Sequence, residues 1–167
     1  MKLVIGLGNP GKKYENNRHN VGHMFIDYLI NNLQNANDRL KLVKTDCFMN
    51  QSGAFVKRIA RSSSLDNLIV IHDDLDIPLG KFHIQKGVGP KLHNGLESIE
   101  QNLKSKDFWR IRIGVDARTP ERWVDGEAYV LHNFLPEEKK LLIETIFPKI
   151  SDQFNQFLKD LLATRSL

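Results

Sequence analysis

Two short runs of unbroken apolar sequence, Leu3–Leu7 and Leu68–Ile71, constrain this chain more than any other feature. A strand whose successive residues are all apolar has to be covered on both faces, so each run reads as a buried strand of a sheet. The sequence around them supplies the covering helices. Asn20–Leu33 carries Val21, Met24, Phe25, Tyr28, Leu29 and Leu33 at three- and four-residue spacing, which predicts an amphipathic helix. Ser52–Ser62 predicts a second, with Ala54, Phe55, Ile59 and Ala60 inward, and Asn94–Leu103 a third, with Leu96, Ile99 and Leu103 inward. Leu40–Thr45 reads as a short strand and Lys81–Lys86 as an outer one. Arg110-Ile111-Arg112-Ile113 alternates, which predicts a strand exposed on one side. Pro136 opens a helical stretch whose apolar stripe runs from Leu141 to Leu161, and Pro148 inside it predicts a kink or a break into two helices. Strands and helices alternate throughout, the pattern of an α/β fold: one three-layer αβα domain, residues 1–167, with a twisted, mostly parallel central sheet.

Composition narrows the class. Hydrophobic residues make up 41% and charged residues 26%, the balance of an ordinary globule rather than a disordered chain. No apolar run approaches the roughly 20 residues of a membrane span, and the start of the chain lacks a secretion-signal pattern. The single cysteine, Cys47, allows no internal disulfide and fits the reducing cytoplasm. A net charge of +4 leans mildly toward a polyanionic partner.

Several segments have the composition of a reactive site. Gly6-Leu7-Gly8-Asn9-Pro10-Gly11 matches the dinucleotide pattern G-x-G-x-x-G in letters. That pattern needs a helix directly after the glycines and an acid about 20 residues on. Here Pro10 and a polar stretch intervene, so a strand-ending turn is the better reading. Arg18-His19-Asn20 precedes the first helix, with Asn20 as a candidate N-cap. His23 lies four residues after His19, yet no H-E-x-x-H pattern or cysteine pair supports zinc. His72-Asp73-Asp74-Leu75-Asp76 follows the strongest strand, where open α/β sheets bind ligands. Its acids are suited either to orienting a histidine from another strand end or to holding Mg²⁺. Asn9, Asn50 and Asn94 all sit at strand–loop or loop–helix transitions on what should be one edge of the sheet. Each is a plausible cap. Together, beside a His–Asp pair, three carboxamides suit a peptide main chain or an oxyanion. No G-x-S-x-G elbow is present, and Cys47 has no evident activating partner. The chemistry that fits is His-activated water attacking an acyl group.

Taken in order, GLGNPG with Tyr14, RHNVG, FMNQSG, HDDLDIPLG, LHNGL, RIRIGV and Tyr129-Val130-Leu131 with Phe134-Leu135 resemble the bacterial-type peptidyl-tRNA hydrolase family. The resemblance covers nearly the whole chain. It implies an enzyme that cleaves the ester between a peptide and the 3′ ribose of tRNA, returning tRNA from aborted translation. It implies peptidyl-tRNA as partner, no cofactor, no metal, no membrane and a monomer. By position, His19 is then the general base, Asp73 orients it, and Asn9 positions the scissile carbonyl or its oxyanion. Asn50, Asn94 and His93 belong to the peptide-binding set. Tyr14 and Met49 line the groove near the ester, and Arg112 is one member of a basic pair that grips acceptor-stem phosphate.

The departures from the family pattern are local. The second member of the phosphate pair falls on Gln85, with Lys86 beside it and, in a strand, on the opposite face. Where the family has Gly-His-Gly-Gly before His-Asn-Gly, this chain has Gly89-Pro90-Lys91-Leu92, which is bulkier and stiffer. The stretch before Phe48-Met49-Asn50 has room for one short strand where the family has a pair, so one edge strand is expected to be missing. A non-enzymatic RNA-binding homologue on the same scaffold is the alternative these departures leave open. Lys104, Lys106, Arg110, Arg112, Arg118 and Arg122 cluster in one third of the chain. If they face RNA, binding weakens steeply with salt.

Overall fold

A computed structural model describes residues 1–32, 40–61 and 63–163. Five strands form one sheet: β1 (Lys2–Gly6), β2 (Leu40–Lys44), β3 (Leu68–Pro78), β4 (Phe82–Lys86) and β5 (Trp109–Asp116), in the order β2-β1-β3-β5-β4. All neighbours are parallel except β4, which runs antiparallel along β5 at one edge. The mostly parallel sheet expected from the two apolar runs is therefore present. One strand, β2, is described between the first two helices; the polar stretch 33–39 lies outside the described residues.

The two apolar runs are buried on both faces because their side chains alternate between two cores. Val4, Ile69 and Ile71 face one core, which is closed by α1 (Val21–Asn32) and α6 (Phe147–Ala163) through Phe25, Leu29, Phe147, Ile150 and Phe154. Leu3, Ile5, Leu68 and Val70 face the other, closed by α2 (Ser52–Ile59) and α3 (Asn94–Leu103) through Phe55, Val56, Leu96 and Ile99. These are the three layers predicted. On the α1 side, Gly22 lets the helix touch the sheet: a Cβ there would lie 2.5 Å from the Ile71 carbonyl oxygen.

Three local expectations need correction. β5 is not open to solvent on one side; Arg110 and Arg112 are both buried. Arg110 donates to Glu100 of α3 at 3.0 Å, and Arg112 donates to Asp74 of β3 at 2.8 Å, so the alternating charges face partner carboxylates rather than water. β3 does not stop at Ile71 but continues through His72-Asp73-Asp74 to Pro78, paired with β5. The break expected at Pro148 comes earlier. A π-helical turn, Leu142–Ile146, joins α5 (Pro136–Leu141) to α6. Pro148 is the second residue of α6, directly after the π turn, so the change in helical bonding falls just ahead of the proline.

Candidate active site

β1 leads leftward in the sheet to β2, and β3 leads rightward to β5. β1 and β3 stay paired to the end of β1, but the connections after them leave in opposite directions, which is where open α/β sheets form their ligand crevice. Asn9 follows β1 and Asp73 lies in β3. An open cavity of about 760 Å³ occupies this crevice, lined among others by Asn9, His19, Met49, Asn50, Asp73, His93 and Asn94. The dispersed asparagines and the His–Asp pair thus meet in one place.

The turn carrying His19 is held from two sides. Asn20 does not cap α1. Instead its side chain accepts from the Asn9 amide at 3.0 Å and donates to the Asn9 carbonyl at 2.9 Å, tying the turn to the end of β1. On the other side, Arg18 is buried across the ring of Tyr129, 4.0 Å from its centroid. It donates to the Asn133 carbonyl at 2.9 Å and to Glu138 at 2.8 Å. The same Glu138 oxygen accepts from the Leu135 amide at the start of α5. The late Tyr129–Leu135 stretch is therefore a brace for the histidine turn.

His19 Nδ1 lies 2.9 Å from each oxygen of Asp73, and His93 Nε2 lies 2.8 Å from Asp73 Oδ1. The tautomers follow from the other ring atoms. His93 Nδ1 accepts from the amides of Gly95 and Leu96 at 3.1 and 3.2 Å, so its proton is on Nε2 and points at Asp73. A carboxylate accepts only, so His19 also donates to it, from Nδ1. That leaves the lone pair of His19 on Nε2, on a ring that lines the cavity. His93, not Asn94, is the N-cap of α3; Asn94 is the first helical residue and is exposed in the cavity.

Charge follows the same geometry. Burial disfavours the His19 imidazolium, but the Asp73 charge and hydrogen bond more than offset it, and the His19 pKa is raised above 6.5. Asp73 is buried, which alone would raise its carboxyl; His19 and His93 reverse this and hold it well below the carboxylate range. His72, directly before it, is wholly buried and donates from Nδ1 to the Asp73 carbonyl at 2.7 Å. Burial, with His93 adding to it, drops its pKa to about 3, so it is a neutral packing histidine. His23 turns away from His19 toward Thr45, 3.0 Å from its hydroxyl, and burial lowers it to about 4. Burial also pushes the Cys47 thiol up, away from nucleophilic use.

Asn9 Oδ1 accepts from the Met49 amide at 2.8 Å, so its Nδ2 is the group left for a substrate. Met49 is buried beneath the cavity, and Asn50 stands exposed beside it. Two sequence-predicted residues lie elsewhere. Tyr14 is not a lining residue; it packs edge-on behind Phe48, which is. Arg112 lies in the sheet, between Asp74 and Gln85, to which it donates at 2.6 Å. Lys86 reaches the other way, to Asp66 and Asp107. The acids in the second half of β3 do not converge on a cation: Asp74 holds Arg112, and Asp76 accepts from the Lys91 amide at 2.8 Å. His19, Asp73 and His93 do bring ligand atoms within 4.8 Å of one another. Those atoms are bonded to each other through two N–H donors and a carboxylate, which makes a hydrogen-bonded triad. Leu75, Leu92, Asp125, Glu127, Val130 and Leu131 also line the cavity. Leu75, Leu92, Val130 and Leu131 lie in segments the sequence singled out, though not as site residues. Sequence reasoning missed Asp125 and Glu127; the one local signal is Asp125 as the N-cap of α4 (Gly126–Val130), accepting from the Glu127 amide.

The model of the peptidyl-tRNA hydrolase family matches residues 3–166. The chain belongs to the peptidyl-tRNA hydrolase family. A peptidyl-tRNA hydrolase of Fervidobacterium nodosum is 41% identical over 155 residues, covering 86% of this chain and 82% of the relative. That of Geobacter sp. strain M21 is 40% identical over 179 residues, covering 95% and 92%. The crystal structure of the peptidyl-tRNA hydrolase from Acinetobacter baumannii superposes with a TM-score of 0.68 at 27% identity, covering 93% of this chain and 94% of that one. These relatives give no support to a non-enzymatic RNA-binding homologue. No helix among the described residues is long and apolar enough to cross a membrane.

Proposed function

We propose that this chain hydrolyses the ester joining a peptide to the 3′ ribose of tRNA, recycling tRNA from stalled translation, as a cytoplasmic monomer. The observation that carries the mechanism is the donation of His19 Nδ1–H to Asp73, which leaves Nε2 basic. His19 Nε2 takes a proton from water as the water oxygen attacks the ester carbonyl. The carbonyl oxygen becomes an oxyanion, and Asn9 Nδ2 donates to it. Asp73 stabilises the imidazolium formed at this point without itself taking the proton. The tetrahedral intermediate then expels the ribose oxygen, which takes the proton back from His19. The products are a peptide acid and a tRNA with a free 3′ hydroxyl. No covalent enzyme intermediate and no cofactor enter the scheme.

Asn50 and Asn94 suit a peptide main chain, since each carboxamide both donates and accepts. Met49 floors the groove, Tyr14 supports it through Phe48, and His93 holds Asp73 from the second side. Arg112 braces Asp74 under the sheet end, and its role toward tRNA is indirect. The test is release of N-acetylaminoacyl groups from tRNA by the purified chain in excess chelator. Release of the acid with intact tRNA is expected. No release under conditions where the Acinetobacter baumannii enzyme acts would overturn the reading.

A further inference from the structure

The loop that departs most from the family pattern, Gly89-Pro90-Lys91-Leu92, is fixed at three points. Gly89 packs against the Arg110 guanidinium and, at 3.4 Å from its ideal Cβ, against Leu96. The Lys91 amide donates to Asp76 at 2.8 Å. His93, the next residue after Leu92, is bonded to Asp73 and caps α3. Pro90 restricts the backbone further. Leu92 is therefore held, yet it is 87% exposed, more than any other large apolar side chain described. A single exposed leucine is ordinary. This one lines the cavity that holds His19, one residue from a ring whose centroid is 4.9 Å from that of His19. Leu75, two residues after Asp73, lines the same cavity, as do Val130 and Leu131 of the α4 end, and the Cβ position of Gly126 lies 3.0 Å from a Leu75 methyl.

We infer that Leu92 is a specificity-determining residue: with Leu75, Val130 and Leu131 it forms an apolar subsite for the side chain of the amino acid esterified to tRNA, favouring large aliphatic or aromatic residues over glycine. The inference rests on the hydrolase reading above and deepens it. A leucine that is exposed while the site is empty gains most by being covered when substrate binds. A fixed loop keeps the ordering cost of that burial low. The acyl residue is the part of the substrate that has to lie beside His19, so its side chain is the group within reach of the residue next to His93.

The experiment compares kcat/KM for N-acetyl-leucyl, N-acetyl-phenylalanyl and N-acetyl-glycyl esters carried on one and the same tRNA. The unaltered chain should prefer the large side chains. Leu92→Ala and Leu92→Asn should each reduce the leucyl-to-glycyl ratio, by about tenfold for loss of an apolar pocket wall. Leu92→Met should keep most of it. A purely structural role in the loop would change all three substrates together and leave the ratio where it was. An unchanged ratio in Leu92→Ala and Leu92→Asn would overturn the inference, as would the absence of any preference in the unaltered chain. Failure to release any of the three substrates would instead remove the hydrolase reading itself, and this inference with it.

Discussion

Asp73→Asn is the perturbation whose outcome the geometry defines most closely. Asp73 accepts two N–H groups: His93 Nε2–H on Oδ1, and His19 Nδ1–H within 2.9 Å of both oxygens. Asparagine offers one carbonyl oxygen and one NH₂ group. His93 cannot change its tautomer, because its Nδ1 already accepts from the Gly95 and Leu96 amides. The new carbonyl oxygen therefore goes to His93, and the NH₂ group falls beside His19 Nδ1. Two donors cannot face each other there, so His19 shifts its proton to Nε2 and loses the lone pair that takes the proton from water. The same substitution in a Ser-His-Asp triad lowers turnover by about ten-thousandfold through the wrong tautomer. A loss of roughly a thousandfold to ten-thousandfold in single-turnover release is expected here, equivalent to about 4–5.5 kcal/mol of barrier. The pH profile adds a second readout. Asp73 holds the His19 pKa above 6.5 against burial, so the midpoint of the rising limb should move to lower pH in the variant. A loss smaller than about tenfold would refute the tautomer argument, and so would an unmoved midpoint in whatever activity remains.

Two further outcomes follow from buried charge. Arg112→Ala strands Asp74, which is fully buried beneath it, and should lower stability to urea by about 3–5 kcal/mol; a loss under about 1 kcal/mol would show that the pair is dispensable. Folding should also weaken on acidification. His23 and His72, lowered to about 4 and 3, are protonated in the unfolded chain first, so the stability they contribute is present above about 6.5 and lost as pH falls. His19, with a raised value, works in the opposite sense: its contribution is full below 6.5 and lost as pH rises through its folded value. The two lowered groups each lose about 2 kcal/mol over this window and His19 regains less than about 1, so a net loss on the order of 3 kcal/mol is expected from pH 7 to pH 5 in urea titrations. Equal or greater stability at pH 5 would contradict this.

Much of this was legible in the sequence because it was local. The apolar runs at Leu3–Leu7 and Leu68–Ile71 marked two central strands, and the Leu96-Ile99-Leu103 spacing marked α3 over its observed Asn94–Leu103 range. What was not legible depends on partners far away in the chain. Arg110 and Arg112 looked solvent-facing because nothing near them announces Glu100 above one and Asp74 beside the other. β3 appeared to end at Ile71 because a polar His-Asp-Asp run does not resemble buried strand; it stays buried only because His19, His93 and Arg112 satisfy it. The asparagines looked like caps for a similar reason. Asn20 binds across to Asn9, and capping of α3 falls to the neighbouring His93, a residue type with a weak capping signature. Arg18 and Glu138, 120 residues apart, could be joined only by the fold. Asn9, His19, Asp73 and Asn94, all singled out in the sequence, meet in one cavity, and the Tyr129-Val130-Leu131 stretch supplies two of its apolar residues. Which side chains face that cavity is decided by the fold, and Tyr14 and Arg112 do not line it.

The most direct test of the central claim is single-turnover release of an N-acetylaminoacyl group from tRNA by the unaltered chain and by His19→Ala, side by side in excess chelator. Thermal unfolding of both confirms that the variant is folded. The account predicts rapid release by the unaltered chain and a collapse by orders of magnitude in the variant. Comparable release by a folded His19→Ala would contradict it, because the proton from water would then have to go to a group other than His19.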